Sequence, residues 1–170
     1  IETAQLGWDE WFRIVTSERV IHSYKISFGT SLAAAGINAV FGLIIAWVLV
    51  RCTFPGKRLL DALIDLPFAL PTAVAGITLT TLYSENGWIG QFFAPLNIKI
   101  AFTPLGITVA LIFIGLPFVV RMVQPVLQNL DKEVEEAAES LGASRFQTFR
   151  KVIFPELLPA LLSGFSLAFA

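Results

Sequence analysis

The chain is poor in the residues that form disulfides, metal sites and charged surfaces. Its 170 residues include one cysteine (Cys52), one histidine (His22) and one methionine. A single cysteine excludes a disulfide framework within the chain, and one cysteine with one histidine excludes a metal site built from several such ligands. Only 15% of the residues are charged and the net charge is −1, so a nucleic-acid partner is not predicted.

Charged residues are absent altogether from three long apolar runs, which cover residues 26–50, 66–84 and 100–120. Each run is close to or above the roughly 20 residues that a membrane-spanning helix needs. A fourth apolar run begins at Leu157 and continues to Ala170. The sequence therefore predicts an all-α, polytopic transmembrane helical bundle with three complete spans and a partial fourth. We expect one transmembrane domain over residues 1–170, a fragment of a longer domain whose first and last helices are missing.

The apolar runs also argue against an enzyme. Catalysis within the membrane needs acid–base groups that converge on one point, and the runs supply none. A phosphate-binding loop of the form G-x-x-x-x-G-K-[ST] is absent as well, because Gly56-Lys57 is followed by Arg58. We predict no catalytic residue, no bound metal or cofactor, and no ATP hydrolysis by this chain.

The first run has features of a packed helix rather than a lone anchor. Small residues recur four apart, as the pairs Gly29/Ala33, Ala35/Ala39 and Gly42/Ala46. Such spacing allows a neighbouring helix to approach closely. Asn38 is the amide in this run, and we expect it to make an interhelical hydrogen bond in preference to a substrate contact.

Basic residues are distributed unequally between the polar segments. The segments 51–65 and 121–156 hold Arg51, Lys57, Arg58, Arg121, Lys132, Arg145, Arg150 and Lys151, whereas the other two hold Arg13, Arg19, Lys25 and Lys99. An excess of basic residues marks the cytoplasmic side of a membrane protein. On the opposite side, Trp8, Trp11 and Phe12 predict that Ile1–Lys25 contains an amphipathic piece lying against membrane lipid at the outer interface.

The polar segment 131–155 lies between two apolar runs and predicts two short helices separated by a bend. Asp131 is a candidate N-cap for the first helix. An apolar stripe at helical spacing follows, formed by Val134, Ala137, Ala138 and Leu141. Gly142 occupies the position where a residue in the left-handed conformation would end that helix.

The second helix of this segment begins with a capping-box pair, Ser144 and Gln147. Phe146, Phe149 and Ile153 follow on one predicted face, and we expect the helix to stop at Pro155. Two aromatic side chains would then point the same way from a polar loop.

The start of the second apolar run is interrupted by Pro67 and Pro71. Proline removes a backbone donor, so we expect a helix broken near the cytoplasmic side. Broken helices in transporters expose backbone groups where they line a cavity. The segment from Pro67 through Pro71 and Thr72 to Gly76 is therefore a candidate gate or substrate path, although proline kinks also occur in purely structural spans.

The residues of segment 131–155 resemble the EAA loop of ABC-importer permeases. The resemblance is carried by Glu136-Ala137-Ala138, Gly142, Val152 and Phe154-Pro155 at the family's spacing. The consensus has Ile and Leu where this chain has Val152 and Phe154, and both differences keep an apolar side chain. In that family the loop is a cytoplasmic coupling helix that docks on the ATPase subunit. The resemblance thus implies an ATPase contact that includes Glu136, Ala137, Ala138 and Gly142. The apolar faces of the two predicted helices add Leu141, Phe146 and Phe149 to the expected contact.

The rest of the chain is similar to the permeases of sulfate/thiosulfate importers, and more to their T-type than to their W-type subunit. The matching stretches are 54–76, 115–121 and 124–127. The resemblance implies a type I permease fold that moves an oxyanion by alternating access, while ATP binds to and is hydrolysed by a partner. The implied partners are an ABC ATPase, a W-type second permease and a periplasmic sulfate-binding protein. The implied location is the bacterial inner membrane, with the plastid envelope membrane as the alternative.

Two other functions stay open. Molybdate or tungstate permeases share the Phe54-Pro55-Gly56-Lys57 turn and the Leu60-Asp61-Ala62-Leu63 stretch, but usually differ in the proline-rich run. A non-transporting membrane scaffold subunit would carry similar apolar spans.

Overall fold

A computed structural model describes residues 7–170, apart from the side chains of Asp9 and Lys132. Residues 1–6, the start of the predicted interfacial segment, lie outside the described part. Regular structure in residues 7–170 is entirely helical, as predicted. The helices are α1 Trp8–Val15, α2 Glu18–Arg51, α3 Lys57–Ile64, α4 Leu66–Ala69, α5 Thr72–Tyr83, α6 Gly90–Phe93, α7 Pro104–Asn129, α8 Lys132–Ser140, α9 Arg145–Thr148 and α10 Phe154–Phe169.

The core is formed where α2, α7 and α10 pack together. The buried face of α2 repeats every three or four residues and is built mainly from small side chains: Thr30, Ala34, Ala35, Asn38, Gly42, Ala46 and Leu49. Val119 of α7 packs into this face, since a Cβ added to Gly42 would lie 2.7 Å from Val119 Cγ1. Gly164 of α10 closes on the same residue, with its added Cβ 2.8 Å from Val119 Cα. These glycines let three helices meet around one valine.

The predicted small-residue packing is thus confirmed for part of α2. Ala35 and Ala46 are fully buried, whereas Gly29 and Ala33 are exposed. Asn38 is fully buried at the same crossing, and its Nδ2 donates to the Leu111 carbonyl of α7 at 3.4 Å. The expected interhelical hydrogen bond of Asn38 is therefore present.

Within residues 7–170, three helices are long and apolar enough to cross a membrane. They are Glu18–Arg51, Pro104–Asn129 and the continuous helical stretch Arg145–Phe169. The predicted first and third spans are confirmed. The contacts of α2 and α7 advance in the same direction along both helices, so α2 and α7 run parallel while α10 returns antiparallel to them.

The second apolar run differs from the prediction of one complete span. Its regular part is the 12-residue helix α5, which is preceded by the separate short helix α4. Leu70 and Pro71 between them are extended, with ψ values of 133° and 134°. The physical reason is that a residue before proline avoids the helical region.

The fourth run also differs, because the helix does not stop at Pro155. A π-helical segment, Phe149–Ile153, joins α9 to α10 without a break. Pro155 is the second residue of α10, so its missing N–H lies at the junction after the wider turn. The fourth run is therefore the C-terminal part of a 25-residue helical stretch rather than a helix that begins at Leu157.

The segment between α5 and α7 forms a loop at the end of the bundle away from Arg51. Lys99 Nζ donates to Glu85 Oε1 at 2.8 Å and ties the two ends of this loop together. The hydrogen bond and charge of Lys99 lower the pKa of the Glu85 carboxyl, and Glu85 in turn raises the pKa of Lys99. Trp88 on this loop is 82% exposed.

Candidate functional site

The first helix of the coupling loop (residues 131–155) ends in the geometry that its sequence predicts. α8 is followed by Gly142 in the left-handed conformation, with φ of 81°. Gly142 N donates to the Glu139 carbonyl at 2.9 Å, and Ala143 N donates to the Ala138 carbonyl at 3.1 Å. This pair of bonds is a Schellman motif, which satisfies two carbonyls at the end of α8 and turns the chain toward α9. Asp131 occupies the N-cap position, but its side chain makes no cap hydrogen bond.

The start of α9 is also as predicted. Ser144 Oγ accepts from Gln147 N at 3.4 Å, while Ser144 N donates to Gln147 Oε1 at 2.8 Å. This capping box fixes the direction in which the second helix leaves the bend. The coupling loop is therefore a defined helix–turn–helix unit and not an irregular connection.

Apolar side chains of this unit are exposed. Leu141 is 89% exposed, Phe146 is 70% exposed and Val134 is 49% exposed. Glu136 and Ala137 are exposed as well. A cleft of about 400 Å³ lies between the two helices and is lined by Ala138, Leu141, Gly142, Ala143, Gln147, Thr148, Lys151 and Val152. We call this set of exposed residues and the cleft the docking face.

Phe149 does not share the position of Phe146, although both were expected on one face. Its ring packs at 5.4 Å from that of Trp47 on α2, nearly perpendicular to it, and at 6.0 Å from that of Phe154. Phe149 is partly buried against the bundle core. Phe146 lies on the exposed side of α9, whereas Phe149, three residues later, begins the π-helical segment and faces α2.

A second contact attaches α8 to α2. Arg51 Nη2 donates to Glu135 Oε1, and the side chains are only 20% and 25% exposed. The Arg51 guanidinium also lies 5.5 Å from the centre of the Trp47 ring, within the range of a cation–π interaction. Trp47 therefore lies beside both connections between the coupling loop and α2.

The proline-interrupted segment is broken at one of its two prolines. Pro67 lies in the first turn of α4, where its missing N–H has no helical partner. Pro71 precedes α5 and, with Leu70, forms the extended break. Thr72 is the first residue of α5 and is exposed. The predicted break is confirmed, and Pro71 is its cause.

Gly76 lies farther along α5 than the other candidate path residues. It lines a groove of about 510 Å³ at the opposite end of the bundle, together with residues that include Thr80, Tyr83, Phe102 and Ile107. The structure therefore divides the predicted set: Pro67, Pro71 and Thr72 surround the break, and Gly76 belongs to an apolar groove between α5 and α7.

Two acidic residues and an arginine that were not predicted as a site meet beside the break. Arg121 of α7 donates from Nε to Asp65 Oδ1 at 2.9 Å, from Nη2 to Asp65 Oδ2 at 2.5 Å, and from Nη1 to Asp61 Oδ1 at 2.8 Å. The available signal was the i, i+4 spacing of Asp61 and Asp65 next to an apolar run, since charges near membrane spans usually pair. The pair Arg51–Glu135 had no local signal, because 84 residues separate its members.

No metal centre is formed by the described side chains, among which no group of three or more His, Cys, Asp or Glu residues is placed to hold an ion.

Comparison with known proteins gives a consistent family. Residues 38–170 match the model of the binding-protein-dependent transport system inner membrane component. The sulfate transport system permease protein CysT of Synechocystis sp. is 56% identical over 170 residues, which is 100% of this chain and 59% of that protein. CysT of Escherichia coli (strain K12) is 52% identical over 169 residues, 99% of this chain and 61% of that protein. A probable sulfate transport system permease protein of Marchantia polymorpha is 52% identical over 99% of this chain and 59% of its own length.

This chain thus spans about three-fifths of the length of the curated relatives that it matches. The matched family region includes α7, the coupling loop and α10 in full. With an all-helical bundle that has three membrane-length helices, the chain belongs to the family of binding-protein-dependent transport system inner membrane components.

Proposed function

We propose that this chain is the translocation part of a permease subunit in an ATP-driven importer of sulfate or thiosulfate. The observation that carries the proposal is its identity of more than 50% over nearly the whole chain to relatives named as sulfate permeases. The docking face supports the same reading, because exposed Leu141 and Phe146 on a polar loop favour a protein partner.

In the proposed mechanism, an ABC ATPase covers the docking face and moves the coupling loop when it binds and hydrolyses ATP. The chain itself binds no cofactor and is not an enzyme. The residues that would contact the ATPase are Glu136, Ala137, Ala138, Leu141, Gly142 and Phe146. Phe149 would connect this contact to α2, because its ring packs on Trp47. The Arg51–Glu135 pair gives a second connection through which motion of α8 reaches α2. Rocking of the bundle would then expose the path to each side in turn.

The break at Leu70–Pro71 is the proposed gate. The N-terminus of α5 lies at the break, where the first backbone N–H groups have no intrahelical acceptor. Together with Thr72 they would offer neutral donors to a dianion. Neutral donors suit transport, because an ion must bind well enough to enter and weakly enough to leave.

The proposed assembly contains two permeases, a W-type subunit being the second, with an ATPase pair and a periplasmic sulfate-binding protein. Specificity for the oxyanion would lie mainly on the binding protein. The proposed location is the bacterial inner membrane or, for a plastid protein, the envelope membrane.

Reconstitution of the full-length protein tests this proposal. The permeases and the ATPase are placed in sealed vesicles, and ATP hydrolysis is measured with and without the sulfate-loaded binding protein. We expect sulfate to stimulate hydrolysis and labelled sulfate to enter the vesicles, whereas molybdate should compete poorly. Strong competition by molybdate would favour the oxyanion alternative, and intact assembly without any uptake would favour a scaffold role.

A further inference from the structure

The cluster around Arg121 contains more than a single ion pair. Its guanidinium donates to both carboxylate oxygens of Asp65, to Asp61 and to Gln124 Oε1, the last at 2.7 Å. We call Arg121, Asp61, Asp65 and Gln124 the clasp. A two-point bond between a planar guanidinium and a carboxylate fixes orientation as well as distance.

The clasp also holds the backbone at the end of α3. The last turn of α3 is tightened, so that Asp65 N donates to the Ala62 carbonyl at 3.2 Å. Arg121 Nη2 donates to the Asp61 carbonyl, also at 3.2 Å. A cation at a helix C-terminus interacts favourably with the carbonyls there. Arg121 therefore binds the side chains and the backbone of the residues that lead into the broken segment.

Helix α4 has few other means of keeping its place. It is four residues long, follows α3 after the single residue Asp65, and is separated from α5 by the extended residues Leu70 and Pro71, so no continuous helix braces its C-terminal side. Phe68 packs on Phe118 of α7 with ring centres 5.1 Å apart. Phe118 lies three residues before Arg121, on the same side of α7. The aromatic contact links α4 to α7, and the clasp links the end of α3, directly before α4, to the same helix.

The degree of burial suits a contact that opens and closes. The side chains of Arg121, Asp61 and Asp65 are 32%, 41% and 47% exposed. A fully exposed ion pair would be too weak to hold a helix, and a fully buried one would be costly to separate. A partly exposed, bidentate cluster lies between these limits, because water can solvate the charges when they part.

We propose that Arg121 is a positioning residue that holds the segment Leu66–Pro71 against α7 and sets the position of the gate. The inference rests on the proposed function, in which this segment is the gate. Arg121 acts through Asp61 and Asp65 and not through contact with the substrate. Separation of the clasp would free α4 to move about the Leu70–Pro71 break.

A cross-link between α4 and α7 tests the position directly. Phe68→Cys and Phe118→Cys are introduced together in a Cys52→Ser background of the full-length protein, assembled with its partner subunits in membranes. A short bifunctional thiol reagent should join the two cysteines. Because the aromatic contact is gone, the position of the segment depends more strongly on the clasp, and Arg121→Gln should lower the cross-linked fraction roughly threefold or more.

Arg58→Gln is the matched control. Arg58 is an exposed arginine on α3, so its replacement by glutamine removes the same charge without touching the clasp. It should leave the cross-linked fraction unchanged. Arg121→Lys keeps the charge but loses the planar guanidinium, so its cross-linked fraction should lie between those of Arg121→Gln and Arg58→Gln. If Arg121→Gln prevents assembly, Arg121→Lys and Asp65→Asn provide the measurement. Cross-linking by these variants equal to that of Arg58→Gln would overturn the proposal.

A second readout separates positioning from simple folding. Cysteine at Thr72, again without Cys52, is labelled with a water-soluble thiol reagent with and without ATP. With Arg121 intact the labelling rates should differ between the two states, and with Arg121→Gln in an assembled complex they should become equal. A role limited to folding would lower the yield of complex and keep the difference, which would contradict the proposal. The cross-link does not depend on the substrate, so absence of sulfate uptake would count against the proposed function alone.

Discussion

At the scale of single residues, Gly142 shows whether a substitution would be opposed by backbone strain or by steric crowding. Its φ of 81° requires the left-handed conformation, yet an added Cβ would meet no atom within 4 Å. Any penalty of substitution therefore comes from the backbone and not from crowding. Gly36 on α2 is a suitable comparison, because it also has open space but lacks a positive φ.

Gly142→Val should disturb the bend between α8 and α9. A β-branched residue in the left-handed region costs about 1–2 kcal/mol, and the Schellman bonds would be lost with the bend. We expect reduced recovery of the ATPase with the permease and reduced sulfate uptake. Gly36→Val should change neither. Normal uptake and normal ATPase recovery with Gly142→Val would contradict the assigned role of the bend.

The two phenylalanines of the coupling loop should behave differently when truncated. Phe146→Ala removes an exposed ring and should weaken ATPase association by about 2 kcal/mol if the ring anchors the interface. Phe149→Ala removes a ring packed against Trp47 and Phe154, so it should lower the thermal stability of the permease itself. Pull-down yield and the unfolding temperature in detergent distinguish the effects. Equal pull-down yields for Phe146→Ala and the unmodified chain would remove Phe146 from the interface.

The turn signals were predictable at this scale because they are local. Gly142, Ser144 and Gln147 act on backbone groups within four residues of themselves, so their spacing in the sequence is sufficient. The acidic partners of Arg121 and Arg51 lie 56 to 84 residues away. Only the packing of α3 and α8 against the bundle brings these charges together.

At the scale of helices, the prolines of the second run and of the coupling loop differ in their effect on the helix. Pro71 follows a residue in the extended conformation and separates α4 from α5, whereas Pro67 and Pro155 lie in the first turns of their helices. The sequence indicated that a break exists near Pro67 and Pro71 but did not distinguish them. It also did not indicate the π segment Phe149–Ile153, which begins at the residue that packs on Trp47 of α2.

Replacement of each proline separately should show this difference. In Pro71→Ala, Leu70 is released from its restriction, so α4 and α5 can join into one helix and the gate should lose mobility. We expect sulfate uptake to fall while subunit assembly stays normal. Pro67→Ala, at a position that tolerates proline, serves as the control and should retain most uptake. If sulfate uptake fell in Pro67→Ala but not in Pro71→Ala, the functional break would lie at Pro67, and the assignment to Pro71 would be wrong.

At the scale of the whole molecule, the parallel packing of α2 and α7 sets the geometry of the loops. Both helices end at the side that carries Arg51, the clasp and the coupling loop, and α10 begins there. The apolar runs predicted this bundle well, because hydropathy reports burial in lipid. They overestimated the length of the second membrane helix, because a charge-free run over residues 66–84 does not reveal the extended residues that precede α5.

The orientation of this bundle predicts which cysteine an impermeant reagent reaches. The excess of basic residues predicts that Cys52, exposed at the end of α2, lies on the cytoplasmic side. In sealed right-side-out membranes, Cys52 should react with a membrane-impermeant maleimide only after permeabilisation. A cysteine that replaces Trp88, which is 82% exposed on the opposite loop, should react without permeabilisation when Cys52 is changed to serine. The reverse result would place the docking face outside, where no ATPase with access to cytoplasmic ATP could bind it, and the proposed coupling would have to be abandoned.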